Sequence, residues 1–160
     1  VLELLPDGKA LRLRAGVGWR EGLVGQATVG ADKDSQAGYT LLSDQAVVAE
    51  DLRTETRFRG PPLLHEHGVV SGMSVVIRGP NRAFGVLGTH TTGRRSFGEH
   101  DVNFLTAIAN VIAAAIERMR LEDKLGEEMR FQIMMMEALP GLVFLFDQHQ
   151  HLLRWNKSVE

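Results

Sequence analysis

Apolar and polar positions follow three rhythms along this chain. Over residues 1–14, "VLELL" and "ALRLR" alternate around Pro6-Asp7-Gly8-Lys9. A period of two with Asp-Gly in the middle predicts a hairpin, with Leu11 and Leu13 buried and Arg12 and Arg14 wet. Residues 16–30 hold neither rhythm and read as irregular, with turns at Gly22 and Gly25. "AGYTLL" is a short helical or extended piece before a turn at Ser43-Asp44-Gln45, and residues 46–50 form a strand. Pro61-Pro62 forbids a continuous helix across residues 54–67. Residues 69–78 and 83–91 are strand-like around the turn Gly79-Pro80-Asn81. Their glycines, Gly72, Gly85 and Gly88, mark a bulge or the close approach of another group.

At Ser96 the rhythm changes. Ser96-Phe97-Gly98-Glu99 fits the capping box S-x-x-E, and Phe104, Leu105, Ile108, Val111, Ile112, Ala115, Ile116 and Met119 recur at helical spacing. No proline intervenes before Pro140, so the helix runs about 40 residues, roughly 60 Å. Leu125, Met129, Gln132, Met136 and Leu139 keep the 3–4 spacing of a short coiled coil, which Arg118 and Glu122 interrupt one turn earlier. The expectation is a domain-closing helix that continues outward as a linker. Leu139-Pro140-Gly141 ends it, and "LVFLFD" and "HLLRWN" read as two strands around Gln148-His149-Gln150. Twenty residues bury no core alone, so they are expected to open a second domain. The chain is accordingly read as part of a longer protein.

Composition narrows the function. The 160 residues are 44% apolar, enough for a folded domain of ordinary size. The net charge of -2 offers no basic face, so no nucleic-acid partner is expected. Uninterrupted apolar runs are well short of the ~20 residues of a membrane span, so no membrane contact is expected either. There is no cysteine, which excludes disulfides, thiolate catalysis and Cys-type zinc sites and mildly favours the cytoplasm.

Chemistry-bearing residues gather in residues 47–77, where Glu50, Asp51, Arg53, Glu55, Arg57, Arg59, His65, Glu66 and His67 sit between two apolar runs. His65-Glu66-His67 lacks the i, i+4 spacing of a helical metal site and reads as polar caps on a solvated loop, so no metal ligand is assigned. His90 and His100 are single, and haem ligation by either has no motif behind it. Asp51 and Arg53, near Glu50 and Glu55, would suit acid–base work, but no nucleophile signature or phosphate loop accompanies them. Asp51 reads more simply as a turn cap, and no catalytic residue is assigned. The glycines at 16, 18, 22, 25 and 30 do not form a dinucleotide fingerprint. Met134-Met135-Met136 is packing filler or faces a partner helix. Trp19 and Trp155 default to core or rim positions.

In this order the segments resemble the GAF family. "VVAEDLRTETRF" is similar to its strand-plus-"D…dpRF" segment. "HGVVSGMSVVI" is similar to the following strand, with Ser71 at the usual Ser. "AFGVLGTHTTGRRSFGEHDVNFLTAIANVIAAAIER" resembles the closing half. "LPGLVFLFDQHQHLLRWNKSVE" looks like the opening of a PAS domain. The resemblance implies an α/β (α+β) fold: an antiparallel sheet with flanking helices, dimer contacts on helices, and a ligand pocket over the other face. The family's N-terminal helix is absent and the C-terminal helix is long. The implied division is a GAF domain over 1–118, a signalling linker helix over 119–139, and the start of a PAS domain over 140–160. The order implies a cytoplasmic bacterial parent, a sensor histidine kinase or a diguanylate cyclase or phosphodiesterase, whose output domain lies elsewhere in the same chain. It implies a homodimer through helices and an unknown small-molecule ligand.

Departures from the family are informative. Bilin attachment and free methionine sulfoxide reduction need cysteines that this chain lacks. The N-K-x-F-D-E-like signature of cyclic-nucleotide binders is missing, and neither haem nor a cyclic nucleotide has support as a cofactor. By the resemblance, Asp51, Arg53, Phe58, Arg59 and Leu63 are candidates on a loop over the sheet, and Met73, Val75, Thr89 and His90 on the sheet floor. The alternative is a degenerate GAF domain that binds nothing and serves only as a dimerisation scaffold.

Overall fold

The computed structural model describes residues 1–156. The reading of 140–160 as one opening domain therefore extends, at 157–160, outside the described residues. Two compact units, Val1–Ala115 and Ile116–Glu160, divide the chain.

The first unit is built on a six-stranded antiparallel sheet. Its strands are β1 (Leu2–Leu4), β2 (Ala10–Leu13), β3 (Thr28–Gly30), β4 (Val47–Ala49), β5 (Ser71–Ile77) and β6 (Gly85–Thr91), in the order β3-β2-β1-β6-β5-β4. The hairpin expected at Asp7-Gly8 joins β1 to β2, with Leu11 and Leu13 buried. Strand β3 lies inside the stretch read as irregular. Three residues in edge pairing with β2 are too short to show an alternation in sequence.

Register sets the faces. Leu2 stands opposite both Leu13 and Val86, Leu4 opposite Leu11, and Leu11 opposite Val29, so these residues share one face. Ala37 from α1 (Gln36–Ser43) joins Leu11, Val29 and Val86 in one core cluster. A second cluster comprises Val47, Ala49, Leu52, Phe58 and Leu64, with Tyr39, Trp19 and Val69 packed against it. Helix α1 forms because Ser35 caps it: the Ser35 hydroxyl accepts from the Gly38 amide at 2.9 Å and donates to the Gly30 carbonyl at 2.6 Å. No continuous helix crosses residues 54–67; Pro62 starts the single turn α2 (Pro62–His65), where its missing N–H costs nothing.

Helix α3 (Glu99–Ala138) is 40 residues long. Its start corrects the expected capping box. The Ser96 hydroxyl turns instead to Glu50 at 3.3 Å, and Gly98 takes the cap position, its carbonyl accepting from Val102. Asp101 then reaches back to the Gly98 amide at 3.0 Å, the carboxylate half of the same motif moved two residues on. The apolar stripe is only partly used within the chain: Leu105 and Ala109 are buried, while Phe104 and Val111 are 68% and 70% exposed. One stretch of α3 also has the length and apolar composition of a membrane span, which counting uninterrupted runs does not detect.

In the second unit, β7 (Phe144–Phe146) and β8 (Leu152–Trp155) pair as an antiparallel hairpin whose residues are all exposed. Asn156 fastens it. The Asn156 amide donates to the Gly141 carbonyl at 2.8 Å, and its oxygen accepts from the Val143 amide at 3.1 Å.

Candidate functional site

A cavity of about 770 Å³ opens on the α1 face of the sheet, within the size range of ligand sites. Its walls come from β2 and the loop after it, from α1 and α2, and from β6. None of the wall residues is Lys, Arg, Asp or Glu.

The polar part of the wall is a directed chain of hydrogen bonds. Thr40 donates to the Gln36 main-chain carbonyl at 2.8 Å, so its proton is committed. The 2.7 Å contact between Thr40 and Ser74 must therefore carry the Ser74 proton. Ser74 in turn accepts from the Gln36 side-chain amide nitrogen at 3.2 Å, which leaves Oε1 of Gln36 toward Nε2 of His90 at 3.3 Å. That oxygen only accepts, so His90 is the Nε2–H tautomer. Its Nδ1 has no partner among the described residues. Burial, and secondarily the charge of the Val1 amino group, lower the His90 pKa to about 4, so the imidazole is neutral at ordinary pH.

The glycines flagged in the strands explain where the ring lies. A Cβ on Gly72 would run into Cδ2 of His90 and stand 2.9 Å from the Thr89 carbonyl oxygen. A Cβ on Gly88 would stand 2.9 Å from Cε1 of the same ring. Both are absent side chains that make room for one imidazole.

The loop from Ala15 carries Trp19 to the cavity. Its indole meets His67 edge-on at 5.0 Å and His90 at 6.5 Å. The Arg20 amide donates to Nε2 of His67 at 3.0 Å, so the His67 proton is on Nδ1, where it meets the Leu63 carbonyl at 2.7 Å. Both ring nitrogens of His67 are thus spent anchoring a loop. No group of three or more His, Asp or Glu side chains is placed to hold a metal among the described residues.

The candidates named from sequence separate. Leu63, Thr89 and His90 border the cavity. Asp51, Arg53, Phe58, Arg59, Met73 and Val75 do not. Phe58 is 4% exposed in the core cluster beside Tyr39. Met73 and Val75 are buried, but Met73 stands opposite Val48 and Thr89, whereas Ser74 stands opposite Val47 and Gly88. Alternation therefore sends Met73 and Val75 to the sheet face away from α1. Asp51 binds its own neighbour: Arg53 approaches it through Nε at 2.8 Å and Nη2 at 2.6 Å, and the Arg53 amide also donates to it. Glu55 and Arg57 repeat the arrangement at 3.0 and 2.6 Å. The guanidinium bonds hold both carboxyls near a pKa of about 2, far from general-base use. Arg59 is exposed.

Sequence reasoning missed Trp19, Gln36, His67 and Ser74. Gln36 and Ser74 carry no signal of their own, since only the fold places them together. Gly72 and Gly88 were the usable hint.

A family model described as GAF domain matches residues 1–116. Among solved structures, the chain is similar to the GAF domain of a phosphoenolpyruvate-protein phosphotransferase from Coxiella burnetii. Identity is 18%, coverage 77% of this chain and 73% of that one, and the TM-score 0.67. Residues 122 to 287 of a methyl-accepting chemotaxis protein align at 19% identity, 75% and 77% coverage and TM-score 0.64. A type II free methionine-R-sulfoxide reductase from Thermoplasma acidophilum aligns at 18% identity, 73% and 77% coverage and TM-score 0.57. No curated protein matches the chain.

Proposed function

The chain belongs to the GAF domain family, and we propose that residues 1–118 are a regulatory small-molecule-sensing and dimerisation module of a bacterial signal-transduction protein. Residues 119–139 are its signalling linker helix, and residues 140–160 open a PAS domain. The observation that carries the reading is the cavity with its ordered wall. Gln36, Ser74 and His90 line a cavity of about 770 Å³, and with the buried Thr40 behind them they form one directed hydrogen-bond chain. An inert scaffold gains nothing from such an arrangement, whereas ligand recognition requires it.

The module itself performs no chemistry. This sequence has no cysteine, and the Asp51 and Glu55 carboxylates are spent on Arg53 and Arg57. The parent is a cytoplasmic sensor histidine kinase or a diguanylate cyclase or phosphodiesterase, with its output domain elsewhere in the chain. A ligand that binds two arrangements of the Trp19 loop unequally shifts their populations, and α3 carries the shift onward. A proline at Ala114 is expected to abolish the response of the parent while leaving ligand binding in place.

A second reading, a ligand-free dimerisation scaffold, draws on α3, where Phe104, Val111, Met119, Leu125 and Met129 are all more than 60% exposed. Native against denatured mass spectra of the purified chain separate the two. A small added mass that is lost on denaturation supports the sensor. A clean apo dimer, unmoved by a panel of nucleotides and metabolites, supports the scaffold.

A further inference from the structure

We infer that the cavity takes a small, uncharged, ring-bearing molecule that donates a hydrogen bond to Nδ1 of His90, and that it rejects anions. This inference rests on the reading of the cavity as a ligand site and names its ligand class.

Charge is the first argument. With no Lys or Arg in the wall, a bound phosphate or carboxylate would leave water without a cationic side chain to meet it. The guanidinium of Arg20, next in sequence to the wall residue Trp19, is turned to the Glu66 carbonyl at 2.7 Å and lies 3.9 Å from the Glu66 carboxylate. The Val1 amino group at the wall donates to the Ala15 carbonyl at 2.7 Å.

Polarity is the second. The donor chain from His90 through Gln36 and Ser74 to Thr40 terminates on the Gln36 main-chain carbonyl, so every proton in it points away from Nδ1. His90, a wall residue, therefore carries at Nδ1 a neutral acceptor whose tautomer is fixed before any ligand arrives. A ligand N–H or O–H satisfies it. A ligand with acceptors only leaves it unpaired, a loss that discriminates against such a ligand.

Shape is the third. Trp19, His67 and His90 bring three rings to one side of the cavity, with Trp19 edge-on to both imidazoles, and Leu63, Val29 and Val86 supply apolar wall. Flat rings pack against such a surface by offset stacking or edge-to-face contact.

Three near-isosteric probes test the inference on the full 160-residue chain: benzamide (neutral donor), methyl benzoate (neutral, no donor) and benzoate (anion). Trp155→Phe makes Trp19 the only tryptophan, so its emission reports the cavity, and the nitrogen resonances of His90 report Nδ1. Benzamide is expected to shift both signals saturably. Methyl benzoate is expected to bind at least about tenfold more weakly, and benzoate and cyclic AMP not to bind. His90→Phe is expected to remove the preference of benzamide over methyl benzoate.

Benzoate or cyclic AMP binding as tightly as benzamide overturns the inference, as does a haem absorption band in the purified chain. So does equal binding of the amide and the ester. In each of these cases the cavity still holds a ligand, and the sensor reading stands. Silence of Trp19 and His90 toward all probes and toward a total metabolite extract overturns both.

Discussion

The charged segment at residues 50–67 and the strand pair β5–β6 face opposite fates in this fold. The segment holds most of the chemistry visible in sequence, yet four of its charges, those of Asp51, Arg53, Glu55 and Arg57, close on one another at short range. Asp51 closes on Arg53, Glu55 on Arg57, and His67 is spent on the Arg20 amide and the Leu63 carbonyl. The strand pair carries no Lys, Arg, Asp or Glu, yet Ser74, Gly88 and His90 line the cavity, and Gly72 makes room for the imidazole. Ionisable side chains close in sequence neutralise one another at short range and become structure. A recognition surface needs groups held in place by the fold but left with one unmet bond.

The largest expected effect compares a glycine from each region. Gly72→Ala pushes a methyl group into the His90 ring and against the Thr89 carbonyl, where the backbone cannot yield. A loss of about 1–3 kcal/mol is expected in urea unfolding, as for other overpacked cores. Gly60→Ala meets only the tip of the exposed His65 side chain, at 2.9 Å from Nε2. That ring can swing away, so a change of less than about 0.5 kcal/mol is expected. Equal losses would show that the imidazole has no more fixed a place than a surface side chain.

Next in size is Ser74→Ala. It removes the acceptor of the Gln36 amide and the donor to Thr40, leaving buried groups unmet at a cost of about 1–3 kcal/mol. It also unlocks the amide of Gln36, so the His90 nitrogen resonances are expected to show both tautomers. A retained single tautomer would mean that the donor chain does not set it.

The hairpin, the β5–β6 pair and the long helix are legible because each repeats one period over enough residues. The three-residue β3 is not, and the start of α3 is misread because Ser96 has a competing partner in Glu50. Of the site candidates, Leu63, Thr89 and His90 reach the cavity wall. Met73 and Val75 miss it by one step of alternation, which no local pattern settles when both faces of a central strand are buried. Gln36 and Ser74 become neighbours only through the crossing of α1 over β5, a contact across 38 residues.

The same two regions separate along the pH axis. His90 has a folded pKa of about 4 against an ordinary 6.5, so the unfolded chain binds the proton first. Stability is therefore full above 6.5, falls as pH drops from 6.5 toward 4, and levels below. Asp51 and Glu55 titrate near 2 when folded, against 3.8 and 4.5, so their contribution is present above 4.5 and fades between there and 2. Urea midpoints from pH 7 to 3 are expected to lose their upper slope in His90→Gln and keep the lower one. A lower slope that disappears with His90 would link the two regions.

The smallest expected effect belongs to the pair most conspicuous in sequence. The Arg53 side chain is 67% exposed and, among the described residues, its side-chain bonds go to Asp51, so Arg53→Ala is expected to leave the urea midpoint unchanged. Glu55→Gln sacrifices somewhat more, since the carboxylate also accepts from the Thr56 and Arg57 amides, but the loss stays below about 1 kcal/mol. Arg57 is the exception that marks the border of the region. It donates to the Val48 carbonyl at 2.6 Å and lies over the Tyr39 and Phe58 rings, so truncating it disturbs packing rather than charge. The decisive readout for Arg53→Ala is not stability but the Trp19 titration with benzamide. An unchanged curve leaves the charged segment outside the site. A weakened one would place Arg53 within reach of the ligand and undo the division between a spent charged segment and a neutral recognition wall.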